Sequence, residues 1–264
     1  MRNDEIDYKL YGDDMQFVEI ELDPNETVVA EAGSLMMMED QIRMETVFGD
    51  GSNKGGGIMD KLLGAGKRLI TGESLFMTTF TNAGMGKSHV SFASPYPGKI
   101  IPVKLSEYNG KIICQKDAFL AAAKGVSIGI EFQRKIGVGF FGGEGFIMQK
   151  LEGDGLTFIH AGGTIHRKDL QPGEVLRVDT GCLVAMTGQV DYDIEFVGGI
   201  KTALFGGEGL FFATLRGPGT VWVQSLPFSR LASRVFAAAP QRGGSKGEGS
   251  VASGLFDILG GDRD

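Results

Sequence analysis

The segment that decides the fold is GGEGFIMQKLEGDGLTFIHA, residues 142–161. It aligns without a gap to GGEGLFFATLRGPGTVWVQS, residues 206–225, at an offset of 64 positions. A third copy begins upstream, where GESLFM at residues 72–77 matches GEGFIM at residues 143–148. Each copy has the pattern of a turn, a strand, a glycine turn and a second strand, so internal repetition organises the chain.

A second block repeats in the same order. Its three copies are ETVVAEAGSL at 26–35, KIICQKDAFL at 111–120 and EVLRVDTGCL at 174–183, each preceded by a turn. This alignment puts Cys114 at the same position as Val29 and Arg177. Two blocks in one order predict three tandem repeats, at about residues 15–97, 98–166 and 167–230. The first repeat carries an insertion of about 14 residues within 49–69.

Short strands with turns every 8 to 12 residues or so are typical of all-β sandwiches, rolls and barrels. We therefore predict an all-β fold of three β-roll or double-stranded β-helix-like repeats around a pseudo-threefold axis. Two helices are expected, a short amphipathic one over 58–70 in the insertion and a C-terminal one beginning at Ser229. Residues 1–240 are predicted to form one domain, followed over 241–264 by a flexible linker and an apolar tail.

Composition and charge narrow the surroundings of the protein. Glycine accounts for 42 of 264 residues without the G-X-Y period of collagen, so many tight turns are expected. The formal charge is -7. Residues 1–50 hold 14 acidic and 3 basic side chains, an excess that repels nucleic acid and anionic lipid.

The cysteines and the first residues indicate a compartment. Cys114 and Cys182 are too few for a secreted disulfide framework, so both are expected to be reduced and unpaired. The opening residues MRNDE lack the basic and apolar pattern of a signal peptide and are too acidic for a transit peptide. We therefore expect a cytoplasmic protein.

Two segments imitate functional motifs. NAGMGKS at 82–88 ends like a phosphate-binding loop but lacks the first glycine of that motif and joins two strands, so a hairpin turn is predicted. His160 and His166 do not have the spacing of a metal site and are expected to be surface or hydrogen-bonded histidines. The spacing of residues suggests no catalytic set, metal site or cofactor site, and we expect that the protein is not an enzyme.

A carboxylate recurs at the same place in every repeat, as Glu73, Glu144 and Glu208. If an axis relates the repeats, these three side chains ring it or lie equivalently around it. One interpretation is a cation site. The other, which we favour, is that each carboxylate accepts backbone N–H groups of the adjacent glycine turn.

Two segments break the repetition and are candidates for interaction. The amphipathic segment 58–70 either packs on its own β core or contacts a partner or a membrane surface. The linker before the apolar tail predicts that the tail docks on another surface, in cis or in trans. The candidate interaction residues are Leu62, Leu63, Leu69, Leu255, Phe256, Ile258 and Leu259.

The order of GES, GGEG and GGEG, followed by LPFSR at 226–230, resembles the altered-inheritance-of-mitochondria family. The resemblance covers roughly residues 5–235. It implies a fold similar to the trp RNA-binding attenuation protein, used three times, and it transfers no catalytic residues. Without that protein's repeated basic residues, RNA binding is not expected.

The expected function is a non-enzymatic scaffold or protein-interaction protein that binds a protein partner or itself. The alternatives are a nucleic-acid-binding protein by fold analogy and a β-roll that binds a small ligand or metal.

Overall fold

The computed structural model describes residues 4–48, 76–134, 146–196 and 211–239. These residues contain nineteen β-strands and one α-helix, which confirms the all-β class. The first strands are β1 Asp7–Tyr11, β2 Phe17–Leu22, β3 Thr27–Glu31, β4 Leu35–Met38, β5 Ile42–Phe48, β6 Phe76–Asn82, β7 Ser88–Ala93, β8 Gly98–Lys104, β9 Lys111–Gln115 and β10 Phe119–Ala123. The others are β11 Ser127–Arg134, β12 Phe146–Glu152, β13 Leu156–Gly162, β14 Ile165–Leu170, β15 Val175–Asp179, β16 Leu183–Thr187, β17 Asp191–Phe196, β18 Phe211–Arg216 and β19 Gly219–Gln224, and the helix α1 is Phe228–Ala238.

Hydrophobic periodicity explains the two kinds of strand. In β2 the side chains of Val18, Ile20 and Leu22 are buried, and the intervening residues are half-buried, because successive strand residues point to opposite faces. By contrast, β16 (LVAMT) is buried at every position. Such a strand has both faces covered, as a strand between two packed layers must.

The strands form four antiparallel sheets. A four-stranded sheet has the order β1-β2-β7-β4, and a three-stranded sheet has the order β15-β18-β17. The other two sheets are six-stranded, with the orders β5-β6-β3-β10-β13-β8 and β11-β12-β9-β16-β19-β14.

One pairing scheme occurs three times along the chain. The central strands β6, β12 and β18 each pair with two neighbours, as β5-β6-β3, β11-β12-β9 and β17-β18-β15. The strands β7, β13 and β19 do the same, as β2-β7-β4, β8-β13-β10 and β14-β19-β16. The axis, the 120° rotations and the repeat boundaries stay predictions.

Two joints fuse these three-stranded groups into the six-stranded sheets. In the first joint β3 pairs with β10, with Ala30 opposite Ala121. In the second joint β9 pairs with β16, with Cys114 opposite Ala185. The corresponding strands of a third joint, β15 and β4, do not pair with each other, and each is an edge strand among the strands in the described ranges. We call β15 and β4 the open edges.

The core consists of three clusters of buried apolar side chains that follow the sheets. The largest fully buried side chains are phenylalanines, at Phe80, Phe92, Phe119, Phe146 and Phe158. One cluster joins the first stretch of strands to the second, and another joins the second to the third. The joints therefore lie inside the core.

Strand pairing corrects the prediction of hairpins. The strands on either side of each glycine turn, such as β6 and β7 or β12 and β13, belong to different sheets. Each already has two partners, because β6 lies between β5 and β3 and β7 lies between β2 and β4. The NAGMGKS loop joins two strands as expected, but it is a connection between sheets.

Register also corrects the alignment of Cys114. Cys114 lies opposite Gln149 in β12, and its equivalents are Ala30, opposite Thr78, and Val178, opposite Ala213. The predicted equivalents, Val29 and Arg177, are one position away. A one-residue shift moves a strand side chain to the other face of the sheet, which is why the correct equivalents are all buried.

Neither Cys114 nor Cys182 forms a disulfide, as expected, and Cys114 is fully buried. Burial raises the pKa of the Cys114 thiol to about 12. The C-terminal helix begins at Phe228, one residue before its predicted start. The segment 58–70, Glu73, Glu144, Glu208 and the tail 241–264 lie outside the described residues, and the predictions made for them stay predictions.

Candidate functional site

The second joint is closed by hydrogen bonds between polar side chains and backbone. Gln224, at the end of β19, accepts a hydrogen bond from Gly162 N at 2.7 Å through Oε1 and donates to Gly181 O at 2.8 Å through Nε2. Gln115, at the end of β9, donates to Thr180 O at 2.5 Å. Both amides therefore complete the backbone hydrogen bonding where the strands end.

The first joint carries different side chains at the same places. Glu31 ends β3 opposite Met77, as Gln115 ends β9 opposite Met148. His160 follows the residue paired with Phe119, as Gln224 follows the residue paired with Leu183. Glu31 and His160 thus replace the two glutamines of the second joint.

A pocket of about 420 Å³ opens beside these side chains. We call it the first-joint pocket. Strands β3, β10 and β13 supply part of its wall, and the turns after β3, before β8 and before β10 and the start of α1 supply the rest. It is lined by Glu31, Ala32, Gly33, Ser34, Pro95, Tyr96, Asp117, Phe119, Leu120, His160 and Phe228.

His160 is the buried polar group of this pocket. Its exposure is 1%, and neither ring nitrogen has a partner at hydrogen-bond geometry. Burial lowers the pKa of His160 to about 4, and a contact with the backbone of Tyr96, which falls short of strict hydrogen-bond geometry, opposes the shift only in part. The imidazole is therefore neutral at physiological pH, with one ring nitrogen able to accept and the other able to donate.

Glu31 is the second titratable group. Burial, with a further contribution from the neighbouring Asp117, raises the pKa of Glu31 to about 7, and Lys116 opposes the shift. This carboxyl group therefore changes charge near neutral pH.

Aromatic rings complete the first-joint pocket. The ring of Tyr96 meets the imidazole of His160 edge-on at 4.4 Å between centroids, and it lies 5.3 Å from the ring of Phe228. Burial raises the pKa of Tyr96 to about 12, so its hydroxyl stays protonated. The pocket therefore combines a neutral imidazole, two carboxyl groups and apolar walls.

The open edges form the other candidate region. Register with the two joints makes Met37 the equivalent of Ala121 and Ala185, because each follows the same bulge opposite β7, β13 or β19. Ala121 and Ala185 are fully buried, whereas Met37 is 47% exposed. In β15, Val175 is 55% exposed. Met37 is thus uncovered at its edge, whereas Val178 of β15, the equivalent of Ala30 and Cys114, is buried within the chain.

His160 is buried rather than on the surface, and the backbone of Tyr96 is its hydrogen-bonding neighbour among the described residues, although that contact lies outside strict hydrogen-bond geometry. His166 is exposed on β14, in a different sheet from His160.

His89 lies between Glu39, at 3.2 Å from Nδ1, and Glu21, at 3.4 Å from Nε2. Within the described part of the chain, no cluster of three or more His, Cys, Asp or Glu side chains could hold a metal ion.

Sequence reasoning missed Glu31, Tyr96 and Asp117 altogether. One signal was available, since the repeat alignment places His160 on Gln224. A change of residue type at a repeated position marks a difference between the repeats, but only the structure places it beside Glu31 and Tyr96.

Comparison with known proteins shows the family to which this chain belongs. The family described as mitochondrial biogenesis AIM24 matches residues 8–226. The chain belongs to this family. An uncharacterised protein of Streptococcus pyogenes serotype M6 is 33% identical over 223 residues, which cover 83% of this chain and 85% of the relative.

The fold of this AIM24 family member is similar to that of a protein with a crystal structure. An X-ray structure of a Streptococcus pyogenes protein matches with a TM-score of 0.71 at 25% identity, covering 89% of this chain and 100% of that one. The resemblance to the altered-inheritance-of-mitochondria family is therefore confirmed. Across the described ranges, no helix is both long enough and apolar enough to span a membrane.

Proposed function

We propose that this protein is a non-enzymatic scaffold that binds further copies of itself by adding β15 of one copy to β4 of the next. The observation that carries the proposal is the pair of open edges. Each of these strands is equivalent to a strand that elsewhere in the chain forms a joint. Recognition by backbone pairing needs no catalytic group and agrees with the expected role as an interaction protein.

The register of the two joints supports a specific alignment of the copies. Ala30 pairs with Ala121 in the first joint, and Cys114 pairs with Ala185 in the second. The same rule would set Val178 of one copy opposite Met37 of another. Because β15 and β4 are different surfaces, the contact is head-to-tail and builds rings or filaments.

Side-chain burial gives this contact its driving force. Met36, Met37 and Met38 are between 42% and 50% exposed on one short strand. Burying a large apolar side chain contributes about 1.5 to 3 kcal/mol before the cost of association is subtracted. A second copy of the chain is therefore a fitting partner, and the acidic residues 1–50 support a protein partner over a nucleic acid.

Light scattering coupled to size-exclusion chromatography tests the proposal. We expect the mass of the wild-type protein to rise with concentration. The variants Met37→Lys and Val175→Lys should remain monomeric, because lysine on an edge strand opposes pairing. Met85→Lys is the matched control, since Met85 is fully exposed in the loop between β6 and β7 and should leave association unchanged.

Two results would reject the scaffold. One is a wild-type chain that stays monomeric while the backbone amides of β4 are protected from hydrogen exchange, which would indicate that β4 is covered within one chain. The other is association that persists in both edge variants.

A further inference from the structure

We propose that the first-joint pocket is a binding site for a small organic cation, an ammonium group carried on an apolar or aromatic body. This inference does not depend on the assembly of copies through the open edges. It rests on the cavity, on a buried imidazole without a hydrogen-bond partner, and on carboxyl groups set among aromatic rings.

The dimensions and walls of the pocket suit a small molecule. Its volume of about 420 Å³ falls within the range of small-molecule sites, about 300 to 1,000 Å³. Phe119, Leu120 and Phe228 supply apolar surface for the body of the ligand. The rings of Tyr96 and Phe228 also present faces that attract a cation.

Charge selects a cation over an anion. The carboxyl groups of Glu31 and Asp117 both line the pocket, whereas Lys116 is the one cationic neighbour that acts on Glu31 among the described residues. Burial and Asp117 both disfavour the charge on Glu31. An ammonium group in the pocket would supply the counter-charge that Glu31 lacks, whereas a carboxylate ligand would meet repulsion.

Hydrogen bonding gives the ammonium group a defined place. It has three N–H donors, and the neutral imidazole of His160, which lines the pocket, has an acceptor nitrogen that no described side chain satisfies. Both ring nitrogens are buried, so the ring turns toward the ligand to accept this hydrogen bond. Leaving such a group buried and unpaired is costly, so a ligand that pairs it gains that energy on binding. Glu31 can accept a second N–H.

The second joint is the internal control. Gln224 and Gln115 occupy the places of His160 and Glu31, and both are already hydrogen-bonded to backbone groups. These two glutamines carry no charge, and the unpaired acceptor of that joint is instead Gln149 Oε1, opposite Cys114. Because the second joint has glutamine at the equivalent position, Gln115, we expect the fold to accept glutamine at position 31. Glu31→Gln is therefore a suitable substitution for the experiment.

Isothermal titration calorimetry of the full chain at pH 8 tests the inference. The probes are phenethylamine, its neutral analogue 2-phenylethanol and the anionic 3-phenylpropionate. We expect saturable binding of phenethylamine at one site, and binding at least about tenfold weaker for the other two probes, because they lack the charge-assisted hydrogen bonds.

Variants locate the site. Glu31→Gln should weaken phenethylamine binding about tenfold or more by removing a charged acceptor. Phe228→Ala removes one wall at a half-exposed position and should weaken it severalfold with little effect on folding. Glu107→Gln, an exposed carboxylate in the turn after β8, should leave it unchanged.

The pH profile gives a second readout. Around Glu31 stand Asp117, Lys116, Tyr96 and His160. As Glu31 takes up a proton below about pH 7, wild-type affinity should fall, approaching about tenfold per pH unit, and the profile of Glu31→Gln should be flatter.

Equal affinity for the amine and the alcohol, no saturable binding to folded protein, or unchanged affinity in Glu31→Gln would each overturn the inference.

Discussion

The first and second joints share one backbone arrangement and differ in the polar side chains that they bury. In the second joint, Gln224 and Gln115 use their amides to complete the hydrogen bonding of Gly162, Gly181 and Thr180. In the first joint, His160 and Glu31 stand in the same places beside a pocket, and the imidazole has no partner. The pairing of Ala30 with Ala121 and of Cys114 with Ala185 is otherwise equivalent.

The difference in polar side chains shows which features of a joint the fold needs. Backbone pairing and small buried side chains make both joints, so the architecture does not depend on the residues at the strand ends. Fully satisfied polar groups serve stability, whereas an unsatisfied buried group beside a cavity calls for another explanation. The ligand proposed for the first-joint pocket is that explanation.

The largest effect is expected at Gly162, which touches both joints. Its N–H donates to Gln224, and a Cβ there would lie 2.0 Å from Leu226 O and 2.9 Å from Cε2 of Tyr96. Gly162→Ala should therefore lower the free energy of unfolding by about 3 kcal/mol or more. Urea denaturation followed by circular dichroism measures this.

Gly86→Ala is the control for that substitution. A Cβ at Gly86 would meet nothing within 4 Å, so the change should stay within about 0.5 kcal/mol. Equal stability of Gly162→Ala and Gly86→Ala would contradict the close approach of backbone between the joints.

Two methionine variants test whether the polar side chains of the two joints differ in their contribution to stability. Gln224→Met leaves Gly162 N and Gly181 O without their partner and should cost about 2 to 4 kcal/mol. His160→Met removes an unpaired polar ring and should be neutral or stabilising. Chemical denaturation of both variants gives the comparison, and a larger loss from His160→Met would show that the imidazole is already satisfied.

At the first joint, the free energy of unfolding should depend on pH through the ionisation of Glu31, with a smaller effect than the substitutions above. The pKa of Glu31 is raised from 4.5 to about 7, so the folded state binds more protons than the unfolded state between these values. The stability that Glu31 contributes at low pH is therefore lost as pH rises through 7. The advantage of Glu31→Gln over the wild type should grow by about 1 to 3 kcal/mol between pH 5 and pH 8.

His160 should give a pH dependence of stability opposite in direction to that of Glu31. Its pKa is lowered from 6.5 to about 4, so its contribution is present above pH 6.5 and lost as pH falls through 4. His160→Met should remove this acid-side loss. Parallel curves for wild type and both variants would mean that neither group is buried as described.

Part of this fold was predictable from sequence because strands and turns repeat at fixed offsets. The second-to-third offset of 64, found from GGEG, also relates Gln149 in β12 to Ala213 in β18. What a gapless alignment cannot supply is which strands pair. The glycine turns looked like hairpins because their neighbours in sequence are both strands, yet those strands belong to different sheets.

The candidate site was less predictable than the fold. Glu31 and His160 are far apart in sequence, and their proximity depends on the pairing of β3 with β10 and of β10 with β13. Burial turns an ordinary glutamate and histidine into groups with shifted pKa values, and burial is a property of the packed sheets.

The smallest predicted effect tests the corrected register at the second joint. Cys114 faces the core as the equivalent of Ala30 and Val178, and it lies opposite the fully buried Ala185. Cys114→Ala would give the second joint the side chain that the first joint has at Ala30. Because the fully buried thiol fills core volume, the substitution should cost about 1 kcal/mol.

If the side chain of Cys114 were exposed, as that of Arg177 is, the same substitution would be nearly neutral. Two-state urea denaturation with equal m-values resolves these outcomes. The matched control is Ser106→Ala, because Ser106 is an exposed residue in the turn after β8. A loss for Cys114→Ala no larger than for Ser106→Ala would contradict the burial of Cys114 at the second joint.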